Sequence, residues 1–337
     1  MPRSRPTSAT TGYPNYVDGG FGLPVFRGPH AQQDAHLAAF FFDADAQQLT
    51  ALCNQYLNFP TNAYIHYRPL FAKVVVLFAD MVVASRDERD SQVGRFSQAE
   101  VSFWIPTVAS RKVGGVFLPD HLAWFVPQLF VDDSNSIATG REVYGFNKQA
   151  AHFEKPKSIR HPAFAVDVLG IQHFSPQATG QRERLLEMRR ISDARIGDAP
   201  SDERPATWQS WDDAQADVLP ELLKTIAADS KNKLVEITTM LITNQMRLVF
   251  LKQFRDIADT RLACYQAIVE APLSLLQFQQ GGSLSGDYVL HVNPLDSHPI
   301  AQTLGLRLEH DEQRASRGLW MNLDFLLGAG TEIWKAT

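Results

Sequence analysis

The sequence has little of several features that define specialised classes of protein. It contains only two cysteines, Cys53 and Cys264, in 337 residues, which excludes a disulfide-rich scaffold. It has no apolar run near the roughly 18 to 20 residues that a membrane-spanning helix needs. It also lacks a basic excess, because 37 acidic residues against 32 basic residues give a net charge of -5. Neither nucleic acid nor a membrane is therefore expected as a partner.

Targeting and metal-binding patterns are missing as well. Residues 1–11 are rich in Pro, Ser, Thr and Arg and have no apolar segment typical of a secretory signal. Two cysteines far apart in the chain suit a reducing compartment, so we expect a cytoplasmic protein. The ten histidines show no metal spacing such as His-Glu-x-x-His, and we expect no cofactor and no metal.

What the sequence does contain is a succession of strand patterns. Runs of β-branched and aromatic residues at 63–84, 99–108, 122–131 and 163–169 predict strands. Asp45 is placed to cap a helix over residues 46–56, and residues 134–142 form a second short helical pattern. Residues 1–35, rich in Gly and Pro, predict an N-terminal arm, and residues 36–330 a single domain. A polar and then helical stretch at about 175–245 is interpreted as an insertion in that domain.

The stretch most informative about chemistry runs from residue 130 to residue 154. Gly140 and Gly145 flank an Arg-Glu pair, and Lys148 closely follows Tyr144 and Phe146. A lysine among aromatic side chains loses hydration, which disfavours its charged form. A neutral amine attacks carbonyl carbons and forms a Schiff base. On these residues alone, the alternative that Lys148 is a solvated lysine at the end of a strand stays open.

Residues 140–148, GREVYGFNK, resemble the signature of the acetoacetate decarboxylase family, in which Gly-Arg-Glu precedes an aromatic residue and Pro-Lys-Lys. Weaker likenesses at 127–133, 250–254 and 296–299 extend the resemblance over about residues 36–310, interrupted at 175–217. The resemblance implies an α+β fold. In it, a large, mostly antiparallel β-sheet curls into a cone-like barrel that encloses a pocket, with a few peripheral helices. It also implies a homo-oligomer.

The resemblance further implies a set of site residues. The family's Schiff-base lysine matches Lys148, and a family glutamate matches Glu100. Because Glu100 and Trp104 share one face of a strand, the carboxylate is a candidate general acid or base beside the pocket. The residues expected to surround the substrate are Trp104, Phe103, Tyr144, Phe146, Gln149, Arg141 and Glu142. Of these, we interpret Arg141 and Glu142 as mainly structural, paired with backbone or neighbouring strands.

Three positions depart from the family pattern. Gln149 replaces the second lysine of the pair, and Asn147 replaces the proline. The family arginine that meets the substrate carboxylate falls, in our register, at Ala35 or His36. Without a neighbouring cation, burial alone has to lower the pKa of the catalytic lysine. The excess of Phe, 21 residues against 8 Tyr and 6 Trp, then suggests a dry aromatic wall containing Phe103, Phe125, Phe130 and Phe146.

Three functions remain open at this point. The first is a cofactor-independent lyase that decarboxylates a keto acid through a Schiff base on Lys148. The second keeps the Schiff base but catalyses aldol condensation, dehydration or retro-aldol cleavage of a larger keto acid, and the missing arginine and Gln149 favour it in part. The third is a non-catalytic pocket that binds a small carbonyl metabolite while Lys148 stays protonated.

Overall fold

The computed structural model describes residues 15–17, 25–61, 64–156, 162–191, 207–218, 220 and 246–336. Their strands are β1 (His30–Asp43), β2 (Ile65–Pro69), β3 (Lys73–Ser85), β4 (Arg95–Val113), β5 (Val116–Val131), β6 (Lys148–Glu154), β7 (Phe164–Gly170), β8 (Gln181–Ile191), β9 (Thr207–Trp208), β10 (Met246–Arg255), β11 (Ala263–Ser283), β12 (Asp287–Val292), β13 (Glu312–Arg314), β14 (Arg317–Leu327) and β15 (Thr331–Lys335).

Helices are short and few within these ranges. They are α1 (Ala46–Cys53), α2 (Ser134–Thr139) and α3 (Ile300–Leu304), with further helical residues at 211–218 and a 3₁₀ turn at Asp90–Gln92. A π-helical turn extends α1 over Asn54–Asn58, and another extends α2 over Gly140–Tyr144. As the sequence predicts, the carboxylate of Asp45 caps α1 by accepting from the backbone N–H of Gln48. No helix in the described ranges is long and apolar enough to span a membrane.

One large sheet organises the chain. Seven strands close a ring in the order β5, β10, β11, β14, β1, β3 and β4, because β4 pairs with β5 again. Strands β6, β7, β8, β12 and β13 continue outward from β5. The described pairings are antiparallel, except that β5 runs parallel to both β6 and β10. The expected α+β fold, with a mostly antiparallel sheet curled into a cone, is confirmed.

The strands of the ring bury both of their faces. On β3, Val74, Val76 and Phe78 point into the main hydrophobic core, which α1 covers with Leu49 and Leu52. The alternate residues of β3, from Val75 to Ser85, line a cavity on the other face. Since successive side chains on a strand point to opposite faces, each ring strand separates the core from the cavity.

A β-bulge in β1 changes which residues face the cavity. The pairing of β1 with β3 shifts between Gln33 and His36, and Asp34 has a left-handed φ of 49° there. Before the bulge, the even-numbered His30 and Gln32 line the cavity, and after it the odd-numbered Leu37 does. An inserted residue reverses the alternation of a strand, so one strand presents polar groups at one end and apolar groups at the other.

Two boundaries differ from the sequence expectation. β1 begins at His30, inside the segment expected to be an N-terminal arm, because its residues pair on both sides with β3 and β14. β8 lies inside the expected insertion, yet it pairs with both β7 and β12 and is an integral strand of the sheet. The predicted helical pattern at 218–245 lies almost entirely outside the described residues.

Candidate active site

The cavity on the inner face of the ring has a volume of about 580 Å³. Its polar end is built by three elements. β4 contributes Gln98 and Glu100, α2 contributes Ser136, and β6 contributes its first residue, Lys148. Of the residues expected around a substrate, Lys148, Glu100, Trp104, Tyr144 and Phe146 line this cavity.

The turn before Lys148 aims its side chain at the cavity. The carboxylate of Asp133 caps α2 by accepting from the backbone N–H groups of Asn135 and Ser136. The π-helical extension ends at Gly145, whose φ of 92° suits glycine. A Cβ at Gly145 would also lie 2.5 Å from Cα of Lys252 on β10. The chain therefore turns sharply there and enters β6 with Lys148 facing inward.

The amine of Lys148 is held in a nearly dry environment. The residue is 8% exposed, and its Nζ donates to Oγ of Ser136 at 2.7 Å. Nζ also lies 5.0 Å from the ring centre of Phe146. Burial lowers the pKa of Lys148, against the opposing charges of Glu100 and Asp133. A lowered pKa increases the fraction of neutral, nucleophilic amine at neutral pH.

Glu100 is the buried acid of the cavity. One carboxylate oxygen accepts from Nε2 of Gln98 at 2.6 Å, and the other accepts from Oγ of Ser102 at 3.3 Å. Nε1 of Trp104 in turn donates to Oγ of Ser102 at 2.7 Å, which holds that hydroxyl in place. Burial raises the pKa of Glu100, while the charge of Lys148 and these hydrogen bonds oppose the rise. An acid and an amine that both resist charging can exchange a proton during a reaction.

His30 and Tyr144 form a second polar pair on the cavity wall. Nε2 of His30 donates to the carbonyl of Phe26 at 3.3 Å, so Nδ1 accepts from the hydroxyl of Tyr144 at 3.0 Å. Burial lowers the pKa of His30, which favours this neutral ring. Sequence reasoning missed His30 because it lies in the segment expected to be an arm. Its place in the site becomes evident only from the pairing of β1 with β3 and β14.

Four residues expected around the substrate lie elsewhere. Phe103 is fully buried in the main core, because it alternates with Glu100 and Trp104 along β4. Gln149 faces away from Lys148, and its Oε1 accepts from Nε2 of His298 at 2.9 Å. The other two lie on the outer side of the turn. Arg141 is exposed and donates to the carbonyl of Lys148 at 3.5 Å, and the half-buried Glu142 lies near Lys252.

The expected wall of phenylalanines is also corrected. Of its four members, only Phe146 lines the cavity, and Phe103, Phe125 and Phe130 pack in the main core. The wall that the structure does contain is mostly aliphatic. We call it the apolar wall, and it crosses β3, β1, β14 and β11 with the residues Leu77, Ala79, Leu37, Met321, Leu323, Phe325, Leu273 and Leu275.

Charge is scarce around the cavity. Among the described residues that line it, Lys148 and His30 carry the basic groups, Glu100 and Asp133 carry the acidic groups, and there is no arginine. Arg27, which precedes β1 in the sequence, pairs with Asp87 and Asp90. In the part of the chain that the structure describes, no three His, Cys, Asp or Glu side chains are placed to hold a metal ion.

Comparison with known proteins places the chain in a structural class. No family model and no curated protein matches the sequence. Among solved structures, the chain is similar to acetoacetate decarboxylase from Legionella pneumophila, with a TM-score of 0.56 and 14% identity over 97% of this chain and 93% of that one. An acetoacetate decarboxylase-like enzyme from Sphingomonas wittichii RW1 gives a TM-score of 0.51 and 10% identity over 93% and 96%.

The enduracididine biosynthesis enzyme MppR is a further similar structure, with a TM-score of 0.55 and 12% identity over 97% of this chain and 98% of that one. MppR is also known in complexes with pyruvate and with the condensation product of pyruvate and imidazole 4-carboxaldehyde. At such identities the likeness shows the fold. The chain therefore has the acetoacetate decarboxylase fold, as a divergent example of it.

Proposed function

We propose that this protein is a cofactor-independent enzyme that acts on a carbonyl substrate through a Schiff base on Lys148. The observation that carries the proposal is the buried amine of Lys148 at the polar end of a 580 Å³ cavity, with its pKa lowered by that burial. A lysine used only for solubility would lie in water, because burying a charge without a strong partner is costly.

The chemistry starts with the neutral amine. Nζ of Lys148 attacks the carbonyl carbon, and the carbinolamine loses water as Glu100 donates a proton to the departing hydroxyl. The resulting iminium accepts an electron pair from a neighbouring carbon. In a β-keto acid this pair comes from the bond to the carboxylate, carbon dioxide leaves, and an enamine forms. Protonation of the enamine carbon and hydrolysis of the iminium then release the product and restore the amine.

In a second reaction the iminium loses a proton, instead of carbon dioxide, from the carbon beside it, and a basic group of the site takes that proton as the enamine forms. The enamine carbon attacks an aldehyde, forming a carbon–carbon bond, and loss of water then gives an unsaturated product. The cavity favours this alternative because its volume has room for two reactants. MppR, whose known complexes include such a condensation product, supports it by analogy of fold.

Reductive trapping tests both reactions. The protein is incubated with acetoacetate, pyruvate or an aromatic aldehyde, borohydride is added, and the modified residue is mapped by mass spectrometry. We expect an adduct on Lys148 that Lys148→Ala and Lys148→Arg abolish, since arginine cannot act as the amine at ordinary pH. Lys112→Ala, at an exposed strand end, is the control and retains the adduct.

The products separate the possibilities. Release of carbon dioxide from acetoacetate supports the decarboxylase, and a product joining pyruvate to the aldehyde supports the aldolase and dehydratase. A protein that binds these carbonyls but gives no adduct on Lys148 is the non-catalytic binder, and that result contradicts the proposal.

A further inference from the structure

The size of the cavity exceeds what a small keto acid needs. Its volume of about 580 Å³ falls in the range of roughly 300–1,000 Å³ that is typical of pockets for drug-sized ligands. Acetoacetate has a backbone of only four carbons. If such a substrate were bound with its carbonyl carbon at Lys148, most of the cavity would be left to water against apolar side chains, which is unfavourable.

The lining of the cavity changes along its length. Lys148, Glu100, Gln98 and Ser136, which come from β4, β6 and α2, form the polar end, and the start of β1 adds His30 and Gln32. The apolar wall lies on β3, β1, β14 and β11, whose other contributions to the lining include Ser85 and Ser274. Met246 and Leu275 line the cavity and are each 37% exposed, so they lie where it reaches the surface. A substrate anchored at Lys148 extends along the apolar wall.

The charges of the cavity disfavour an acidic group in the part of the substrate that lies along the apolar wall. Glu100 and Asp133 line it, and its described lining has no arginine. The one histidine, His30, uses both ring nitrogens within the protein, on Tyr144 and on the backbone of Phe26. A carboxylate on the apolar wall would therefore lose its hydration without gaining a cationic partner.

We infer that the substrate is a carbonyl compound with a large uncharged apolar body, an alkyl chain or ring system, which lies along the apolar wall while its carbonyl carbon meets Lys148. The inference rests on the proposed function of Lys148 and names the substrate class of that site. The apolar wall then recognises the substrate by burying its apolar body, and Lys148 holds the carbonyl carbon through a covalent bond.

The test is reductive trapping with a series of methyl ketones. The probes are 2-butanone, 2-octanone and the acid 7-oxooctanoate, which matches 2-octanone in chain length but ends in a carboxylate. The measured quantity is the concentration of each ketone that gives half-maximal adduct on Lys148. Each buried methylene favours binding by roughly threefold to fourfold, so we expect 2-octanone to act at a concentration at least about tenfold lower than 2-butanone. We expect 7-oxooctanoate to lose that gain.

A matched pair of variants tests whether the apolar wall causes the preference for 2-octanone over 2-butanone. Leu275 lines the cavity, whereas its neighbour Leu276 is 46% exposed and does not. Leu275→Asp is expected to reduce the advantage of 2-octanone over 2-butanone at least about fivefold, since it places a charge beside the alkyl chain. Leu276→Asp carries the same substitution at a neighbouring residue that does not line the cavity, and it keeps the wild-type advantage. Circular dichroism confirms that both variants are folded.

Binding of 2-octanol and 2-butanol, measured by calorimetry, separates the two proposals because these alcohols form no Schiff base. If no ketone gives an adduct but 2-octanol binds more tightly than 2-butanol, the Schiff-base function fails and the apolar preference stands. If adducts form with equal efficiency for 2-butanone, 2-octanone and 7-oxooctanoate, the inference is overturned while the Schiff-base function stands. If neither adducts nor tighter binding of the longer alcohol is found, both are overturned.

Discussion

The side chain of Lys148 packs directly against Gly140, in space that a side chain at position 140 would need. A Cβ built on Gly140 would lie 2.6 Å from Cε of Lys148 and 3.2 Å from its Nζ. The backbone of Gly140 is right-handed helical, with φ of -63°, so this position needs glycine for space and not for conformation. The position of the lysine that ends the GREVYGFNK segment therefore depends on the glycine that begins it.

Gly140→Ala is expected to displace the amine while the protein still folds. The new methyl group would lie only 2.6 Å from Cε, so the end of the Lys148 side chain has to shift and its contact with Ser136 is disturbed. Misplacing a reacting group by about 1 Å can cost roughly 10²-fold in rate, and we expect a loss of that order in adduct formation. Gly180→Ala is the control, because its nearest neighbour lies at 3.4 Å. Equal adduct yields from the two variants would show that the amine does not need this space.

Glu100→Gln is expected to change the pH dependence of Lys148. The amine reacts when neutral, so its reactivity rises as pH increases through its pKa and then levels off. The charge of Glu100 raises the pKa of Lys148 against the larger effect of burial, so removing the charge lowers that pKa further. The midpoint of reactivity should move to lower pH. The rate of adduct formation on the plateau above that midpoint should fall by about 10²-fold, because a general acid is lost.

The measurement for Glu100→Gln is the rate of adduct formation with acetoacetate across the pH range in which lysine titrates. Glutamine keeps an oxygen that can accept from Gln98, so the strand arrangement is preserved. Glu88→Gln, at an exposed position, is the control and leaves both the midpoint and the upper level unchanged. A midpoint that moves to higher pH in Glu100→Gln would contradict the assigned electrostatics.

Tyr144→Phe tests the polar pair on the cavity wall. Loss of the hydroxyl leaves Nδ1 of His30, a residue only 4% exposed, without its hydrogen-bond donor. An unsatisfied buried polar group costs about 1–3 kcal/mol, and the free energy of unfolding in urea should fall by that amount. Tyr64→Phe, at a residue 58% exposed, should change it by less than about 0.5 kcal/mol. Equal stabilities would show that the hydroxyl of Tyr144 is satisfied otherwise.

The sequence predicts the parts of the site that depend on local order along the chain. Glu100 and Trp104 share a face because strand side chains alternate. The same alternation places Phe103 in the core, although the prediction had included it among the residues around the substrate. His30 reaches the cavity only because β1 starts earlier than its composition indicates and contains a bulge at Asp34. A bulge depends on pairing with distant strands, and no pattern local to β1 encodes it.

The apolar wall was beyond sequence reasoning for a related physical reason. Its residues come from four strands that are far apart in the chain and adjacent only through the closed ring. An apolar residue on such a strand has the same pattern whether it faces the core or the cavity, since both faces are buried. The prediction therefore assigned phenylalanines from the strands and loop expected to surround Lys148, and three of these four pack in the core.

Gln149→Lys restores the second lysine of the family pair and tests whether that position acts on the first. The sequence alone suggests that a cation at 149 would lower the pKa of Lys148. The structure places the side chain of Gln149 on the opposite face of β6, against His298, so the sheet separates the two amines. We expect the pH midpoint of adduct formation in Gln149→Lys to equal that of the unchanged protein.

Gln98→Lys is the matched comparison on the cavity side of the sheet. Gln98 lines the cavity and contacts Glu100, so a lysine there offsets the carboxylate charge that raises the pKa of Lys148. The midpoint should therefore move to lower pH in Gln98→Lys alone, because like charges at short range disfavour the protonated amine. A shift to lower pH in Gln149→Lys as well would mean that the sheet does not isolate position 149.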